Sequence, residues 1–442
     1  MKEVILSRPN IVYLHSHDTG RYIQPYGYAV PTPNLQSFAE QGVLFRQAFC
    51  VAPTCSPSRA ALLTGVSAHE SGMLGLAHRG FRLRDPSWHM AHWLAAVGYE
   101  TILGGVSHVA PHRELETLGY TTLLRPADHH ASTLGPLGVQ TIDRLADRPD
   151  RPFFLDLGFH ETHREFPTEQ SDDARYTRAP AILPDTPQTR ADFAAYRASA
   201  RMLDQAYGMI LDRLEARGLA HQTLVMITTD HGIAFPDMKC SLSDHGTGVL
   251  LMMRGPGFSG GRVIDPMVTH LDIFPTLARA IDAPAPARLS GKPLQPLVDG
   301  SVSSLHEEVF SEVTFHASYE PKRSIRTERY RYVRRIGGYD HPVLPNTDAG
   351  PSKDAWLDAG WRETMVAREA LFDLVFDPAE RFNRIADPTL NDVRESLLGR
   401  LDAWMRQTND PLLAGEVRPP SGSTLNPVED THPRTETAVR QP

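Results

Sequence analysis

Thr223-Leu224-Val225-Met226-Ile227-Thr228-Thr229-Asp230-His231-Gly232 is the stretch on which the fold turns. Its first seven residues are apolar or β-branched and too few for a helix, so they read as a buried strand. The run passes without a break into an acid, an imidazole and a glycine. Three other runs repeat the pattern. Asn10–Ser16 leads into His17-Asp18-Thr19-Gly20, residues 101–105 precede His108, and residues 152–159 end in His160-Glu161-Thr162-His163. Ligands of open α/β sheets sit outside the carboxyl ends of the strands. Apolar strands tipped with His, Asp and Glu therefore predict a large, mainly parallel sheet with one chemically active edge.

Helical spacing surrounds these strands. Residues 33–41 set Leu35, Phe38 and Ala39 on one face before Gly42, and residues 88–97 carry Met90, Ala91, Leu94 and Ala95 before Gly98. Residues 191–217 place Phe193, Tyr196, Met202, Leu203, Tyr207, Ile210, Leu211 and Leu214 at 3.6-residue spacing, the mark of a long amphipathic helix.

A short helix of a different kind is expected from Cys55-Ser56-Pro57-Ser58-Arg59-Ala60-Ala61-Leu62-Leu63-Thr64-Gly65. Pro57 suits the first helical position and Gly65 the stop. Cys55 would then lie at the positive end of the helix, where free N–H groups favour an anion. Arg59, one turn on, would project to the same end and complete an anion cradle around one reactive atom.

The 442 residues suffice for a large α/β domain and a smaller one. With 41% hydrophobic and 22% charged residues and a formal charge of −8, the composition is that of a globular protein, with no basic excess to suggest nucleic acid. Met1 to Asn10 is too short and too charged to hold a signal-peptide apolar core, and no run of apolar residues is long enough for a membrane span. Cys50, Cys55 and Cys240 form no disulfide framework, which fits a reducing compartment. A cytoplasmic location without membrane contact is the expectation. Lysine is scarce, five against 40 arginines, so a lysine near the active edge, such as Lys239, stands out.

The texture changes near residue 300. Residues 309–315 and 329–336 alternate like antiparallel strands, and residues 391–407 form a helical pattern with Val393, Leu397, Leu401 and Trp404 inward. The expected division is a catalytic α/β domain over 1–300, an α+β subdomain over 301–413 and a mobile, Pro-, Ser- and Thr-rich tail over 414–442.

His17, Asp18, Asp230 and His231 together offer two imidazoles and two carboxylates that could hold one divalent cation facing Cys55. Singly, each reads as a turn cap or a satisfied strand-end histidine. His108 and His163, on neighbouring strand ends, are candidates for proton transfer near neutral pH. Lys239 sits in a Pro-broken loop able to fold back over the site.

Cys-x-Pro-Ser-Arg at 55–59 followed by Leu63-Thr64-Gly65 resembles the signature of the type I, formylglycine-dependent sulfatases. Gly72-Met73-Leu74-Gly75-Leu76, Arg151-Pro152-Phe153-Phe154, Phe159-His160, His163-Arg164, Asp230-x-Gly232-Ile233, Phe235-Pro236, Glu312-Val313-Thr314 and Leu371-Phe372-Asp373-Leu374 are similar to the heparan N-sulfatase branch. The resemblance implies the alkaline-phosphatase-like sulfatase fold and hydrolysis of a sulfate ester or sulfamate. It implies that a formylglycine-generating enzyme oxidises Cys55, and that the hydrated aldehyde attacks sulfur while Arg59 and a metal held by His17, Asp18, Asp230, His231 and residue 55 steady it. His163 or Lys239 would protonate the leaving group, and His108 would take the proton of the second hydroxyl as sulfate is eliminated. By the same resemblance Glu161, Glu312 and His316 line the substrate pocket. A small sulfated substrate and homo-oligomer formation are further expectations.

Two departures bear on this. His17 stands where the family usually has aspartate, so calcium, the family's usual ion, competes with manganese or zinc. Val106 stands where a sulfate-binding lysine is common. A phosphonate monoester or phosphodiester hydrolase, or a silent homologue that binds a sulfated ligand, are the alternative readings of the same residues.

Overall fold

A computed structural model describes residues 8–148, 150–167, 173–434 and 436–441. Residues 1–7, on which the expectation of no signal peptide partly rests, lie outside the described residues. The expected sheet is present, with eight strands in the order Arg262–Ile264, Val43–Phe45, Leu251–Arg254, Thr223–Thr229, Asn10–Ser16, Phe153–Gly158, Glu100–Gly105, Thr122–Leu123. Only Leu251–Arg254 runs against the others.

Period-two alternation gives the central strands two cores. Val12, Leu14, Leu155, Leu157, Val225 and Ile227 face the helices Ala131–Ala146 and Pro187–Ala216. Ile11, Tyr13, Phe154, Leu224 and Met226 face the opposite way, with Leu62 and Leu63 of the Cys55–Thr64 helix and Phe274 and Leu277 of Ile273–Ala280. The register brings the strand tips level. Ser16 pairs with Thr229, His15 with Gly158, and Gly105 with Gly158. Beyond those pairs His17, Asp230, residues 106–108 and residues 160–163 leave the sheet at one edge.

The Cys55–Thr64 helix starts earlier than the proline suggests. Thr54 holds the N-cap position with extended backbone and Cys55 is the first helical residue, so Pro57 falls two residues later, still among positions whose N–H has no intrahelical partner. Gly65 closes the helix in the left-handed conformation at φ 74, as expected of a glycine cap.

The second sheet is antiparallel, in the order Glu308–Phe315, Tyr319–Thr327, Tyr330–Arg335, Glu369–Asp373, with the helix Asn391–Gln407 packed on it through Leu397, Leu401 and Met405. The two strands expected from alternation are not neighbours. Tyr319–Thr327 runs between them, concealed in the sequence by Pro321, which is buried, and by Lys322, Arg323 and Arg326, which are buried and paired instead of solvated. Arg323 grips Asp410 with two nitrogens, Nε to Oδ2 at 2.6 Å and Nη2 to Oδ1 at 3.0 Å. Asp410→Ala removes both close carboxylate contacts and leaves that guanidinium only the 3.4 Å approach of Glu312, and should cost about 3–5 kcal/mol in urea denaturation. A loss under about 1 kcal/mol, the worth of an exposed pair, would contradict the burial.

The polar segment after Ala414, expected to be mobile, folds back. Thr424–Leu425 pairs with Val439–Arg440, Leu425 joins the main core, and Asn426 donates its N–H to Ala317 O at 2.8 Å. Backbone and side-chain partners meet several of its polar groups, among them Asn426 Nδ2 on Arg434 O and Lys353 Nζ on Thr431 O, which composition alone does not reveal.

Candidate active site

Cys55 is 3% exposed at the helix start, with its Sγ 3.5 Å from His231 Nε2. His17 Nδ1 lies 2.9 Å from Asp18 Oδ1 and 3.3 Å from Asp230 Oδ2. His231 Nε2 lies 3.2 Å from Asp18 Oδ1 and 3.7 Å from Asp230 Oδ2. The structure thus brings ligand atoms of His17, Asp18, Cys55 and Asp230 within 4.8 Å of one another, with His231 against Asp18, Asp230 and Cys55 beside them. Adjacent ligands around a cation with bonds of about 2.0–2.6 Å are about 2.8–3.7 Å apart, so this donor set fits a single divalent ion. Burial pushes the His17 imidazole down to about 3, which leaves it neutral, as a ligand must be. Burial opposes charge on Asp18, but Lys239 and the surrounding imidazoles outweigh it and hold the carboxyl well below its usual range. Burial also drives the Cys55 thiol well above its ordinary value.

Asp18 and His108 both take left-handed backbone, at φ 55 and 57. Such a conformation costs a non-glycine residue about 1–2 kcal/mol, and here it turns both side chains back over the sheet edge. Arg59 reaches the same point, as expected. Its Nη2 donates to Asp230 Oδ2 at 3.0 Å and to Ser16 O at 2.9 Å. His108 Nδ1 lies 3.2 Å from His17 Nε2. Lys239 is buried, with Nζ donating to Asp18 Oδ2 at 2.8 Å and lying 3.3 Å from His163 Nε2. His163 Nδ1 donates to Arg164 O at 2.6 Å, so its Nε2 is the acceptor that faces Lys239.

Asp348 was not foreseen. It accepts from Lys239 Nζ at 2.7 Å and, with Asp18 and His163, forms a second group of converging donors. It lies in a loop with no strand before it, so no local pattern marks it. The demand of a buried lysine for a second carboxylate was the available signal. Arg79 was also missed, and its Nη1 is buried without a hydrogen-bond partner.

Two expected pocket residues have other work. Glu161 directs Oε2 to the N–H of Ala131 at 2.8 Å and Oε1 to His130 Nδ1 at 3.1 Å, which caps the Ala131–Ala146 helix. Glu312, 1% exposed, holds His69 Nδ1 at 3.0 Å and lies 3.4 Å from Arg323 Nη2. Only His316 of the three keeps a buried, unpartnered ring nitrogen, Nδ1.

Burial opposes the Glu312 charge, yet His69 and Arg323 outweigh it and bring the carboxyl from 4.5 to about 2. Burial likewise opposes charge on His69, and Glu312 outweighs it and raises the imidazole above 6.5. Glu312 therefore adds stability above pH 4.5 that is lost as pH falls towards about 2. His69 adds stability below 6.5 that is lost as pH rises through its folded value. Glu312→Gln should lower the melting temperature most between these limits, with the difference vanishing near pH 2 and KM unchanged. A raised KM with unchanged melting would return Glu312 to the substrate pocket.

Among the described residues, no helix is long and apolar enough to cross a membrane. A family model described as Sulfatase matches residues 9–283. The chain is 29% identical to N-sulphoglucosamine sulphohydrolase of Homo sapiens over 438 residues, which covers 87% of each chain. A solved structure in complex with its substrate D-glucosamine-2-N,6-O-disulfate superposes with a TM-score of 0.71 at 16% identity, covering 91% of this chain and 98% of that one. The phosphonate monoester hydrolase of Agrobacterium radiobacter superposes with a TM-score of 0.66 at 19% identity, covering 98% and 100%.

Proposed function

The chain belongs to the sulfatase family and is a sulfatase, and from that premise we propose that it hydrolyses the sulfate ester or sulfamate of a small, sugar-like molecule through formylglycine made from Cys55. The observation that carries this reading is the convergence of His17, Asp18, Asp230 and His231 on the first residue of an Arg59-bearing helix. The names of two similar proteins, one an N-sulphoglucosamine sulphohydrolase and one bound to a disulfated glucosamine, support an amino sugar as the substrate core.

His17, Asp18, Asp230 and His231 would hold the divalent ion. When bound it would supply Lewis acidity and offset charge on the sulfuryl oxygens. Hydrated formylglycine would offer an oxygen nucleophile in place of the thiol. Arg59 orients Asp230 and directs its charge at the same point. Lys239, charged and held between Asp18 and Asp348, is the proton source on the leaving-group side, with His163 Nε2 as its neighbour. His108, its ring pulled well below the ordinary value by burial, is neutral and able to accept a proton. With Val106 buried at 4% exposure, no lysine meets the sulfate from that position. Arg79 Nη1 and His316 Nδ1, like Arg59 Nε, are buried nitrogens without a hydrogen-bond partner.

Parallel assays on an aryl sulfate, glucosamine N-sulfate and a phenyl phosphonate test the reading. The expected order puts a sulfur substrate first, and preference for the phosphonate would overturn it. Two imidazole nitrogens beside two carboxylates favour manganese over calcium. Chelator-stripped protein should therefore regain activity and melting temperature at lower manganese than calcium concentration. The reverse order would contradict that donor argument.

A further inference from the structure

Asp156 and His15 break the apolar pattern of two central parallel strands, where near-continuous hydrophobic runs are the rule. Both are buried, at 1% and 2% exposure. A lone carboxylate in that position is costly unless hydrogen bonds satisfy it. The in-register pairs Tyr13 with Asp156 and His15 with Gly158 put all four residues on the face that carries the Cys55–Thr64 helix. Asp156 Oδ2 accepts from Tyr120 Oη at 2.5 Å, and its Oδ1 lies 2.8 Å from His15 Nε2. Arg59 Nη1 donates to His15 Nδ1. A guanidinium only donates, so Nδ1 is the acceptor and the His15 proton sits on Nε2, directed at Asp156. Space for the ring comes from Gly158, where a Cβ would stand 2.4 Å from His15 Cε1. Tyr13 stacks on the ring's face at 4.5 Å.

We propose that Asp156 and His15 are positioning residues for Arg59: the buried line Tyr120, Asp156, His15 fixes one guanidinium nitrogen so that the other is held on Asp230. The inference rests on the reading of Arg59 as part of the sulfatase centre. Arg59 is the only cation on the helix that begins with Cys55, and its Nε has no hydrogen-bond partner. Its aim is therefore set by its two terminal nitrogens, one on His15 and one on Ser16 O and Asp230. An aspartate that fixes the tautomer and direction of a histidine is a known device. Here the histidine aims an arginine.

The test compares His15→Leu, His15→Gln and the double variant His15→Leu/Asp156→Leu in full-length, formylglycine-containing protein. Three quantities are read: steady-state kcat, KM, and the manganese affinity of the stripped protein from its melting shift. A glutamine in place of His15 offers an oxygen to Arg59 and an N–H to Asp156, so it keeps the line, whereas a leucine there cuts it. The double variant removes the buried carboxylate as well and keeps the strand apolar, so it folds even if the single leucine variant does not. Cutting the line should lower kcat roughly 10–100-fold with little change in KM and weaken manganese binding. His15→Gln should restore most of both. Folded leucine variants with wild-type kcat and manganese affinity, or a glutamine variant as impaired as the leucine, would overturn the proposal. Were the wild type to turn over no sulfated substrate, the sulfatase reading would fail, and the manganese titration would still decide this one.

Discussion

Cys55→Ser should abolish turnover of every sulfated substrate, with kcat falling by about 10⁴ or more, while the protein melts close to wild type. Serine is nearly isosteric and the position is the first of a helix, so neither packing nor capping changes much. A serine hydroxyl left unoxidised has one oxygen and no second hydroxyl with which to expel sulfate, so at most a single, slow transfer remains. Single-turnover kinetics would reveal any such residue of activity. Continued multiple turnover by Cys55→Ser would mean that another group is the nucleophile.

Asp18→Asn should be nearly as damaging. Asp18 is the centre of the charge network. Its Oδ1 meets His17 and His231 while its Oδ2 holds Lys239 at 2.8 Å. The amide keeps the volume and removes the charge that both the cation and the lysine need. Losing an outer-shell partner weakens metal binding roughly 10–100-fold, and losing a direct ligand should exceed that. The expected result is a folded protein with little bound metal by elemental analysis and kcat/KM reduced beyond that range. Retention of full metal content would remove Asp18 from the ligand set and with it the reading of the four strand-tip residues as one site.

Much of this arrangement is legible in the sequence because two simple signals coincide. Thr223–Thr229 and Asn10–Ser16 are unambiguous buried strands, and their polar tips leave little choice about which edge carries chemistry. The Cys55 helix is legible through Gly65 and Arg59, although Pro57 misplaced its first residue by two positions. What the sequence hides is buried charge. Tyr319–Thr327 is a full strand whose arginines find partners from distant segments and whose lysine pairs with Glu320 of the same strand, so no alternation betrays it. Glu161 and Glu312 stand where a pocket residue would stand, yet a helix terminus and a buried histidine claim them. Asp348 and the pair His15 and Asp156 become meaningful only when a lysine and an arginine from elsewhere in the chain are brought against them.

The most direct test of the central claim is mass spectrometry of the tryptic peptide spanning residues 47–59, taken from protein made together with a formylglycine-generating enzyme. The peptide carries Cys50 as well as Cys55, so it holds its own unmodified reference. An aldehyde at residue 55 with an intact thiol at residue 50, its extent rising in step with specific activity, is the predicted result. An intact thiol at residue 55 in fully active protein would contradict the account.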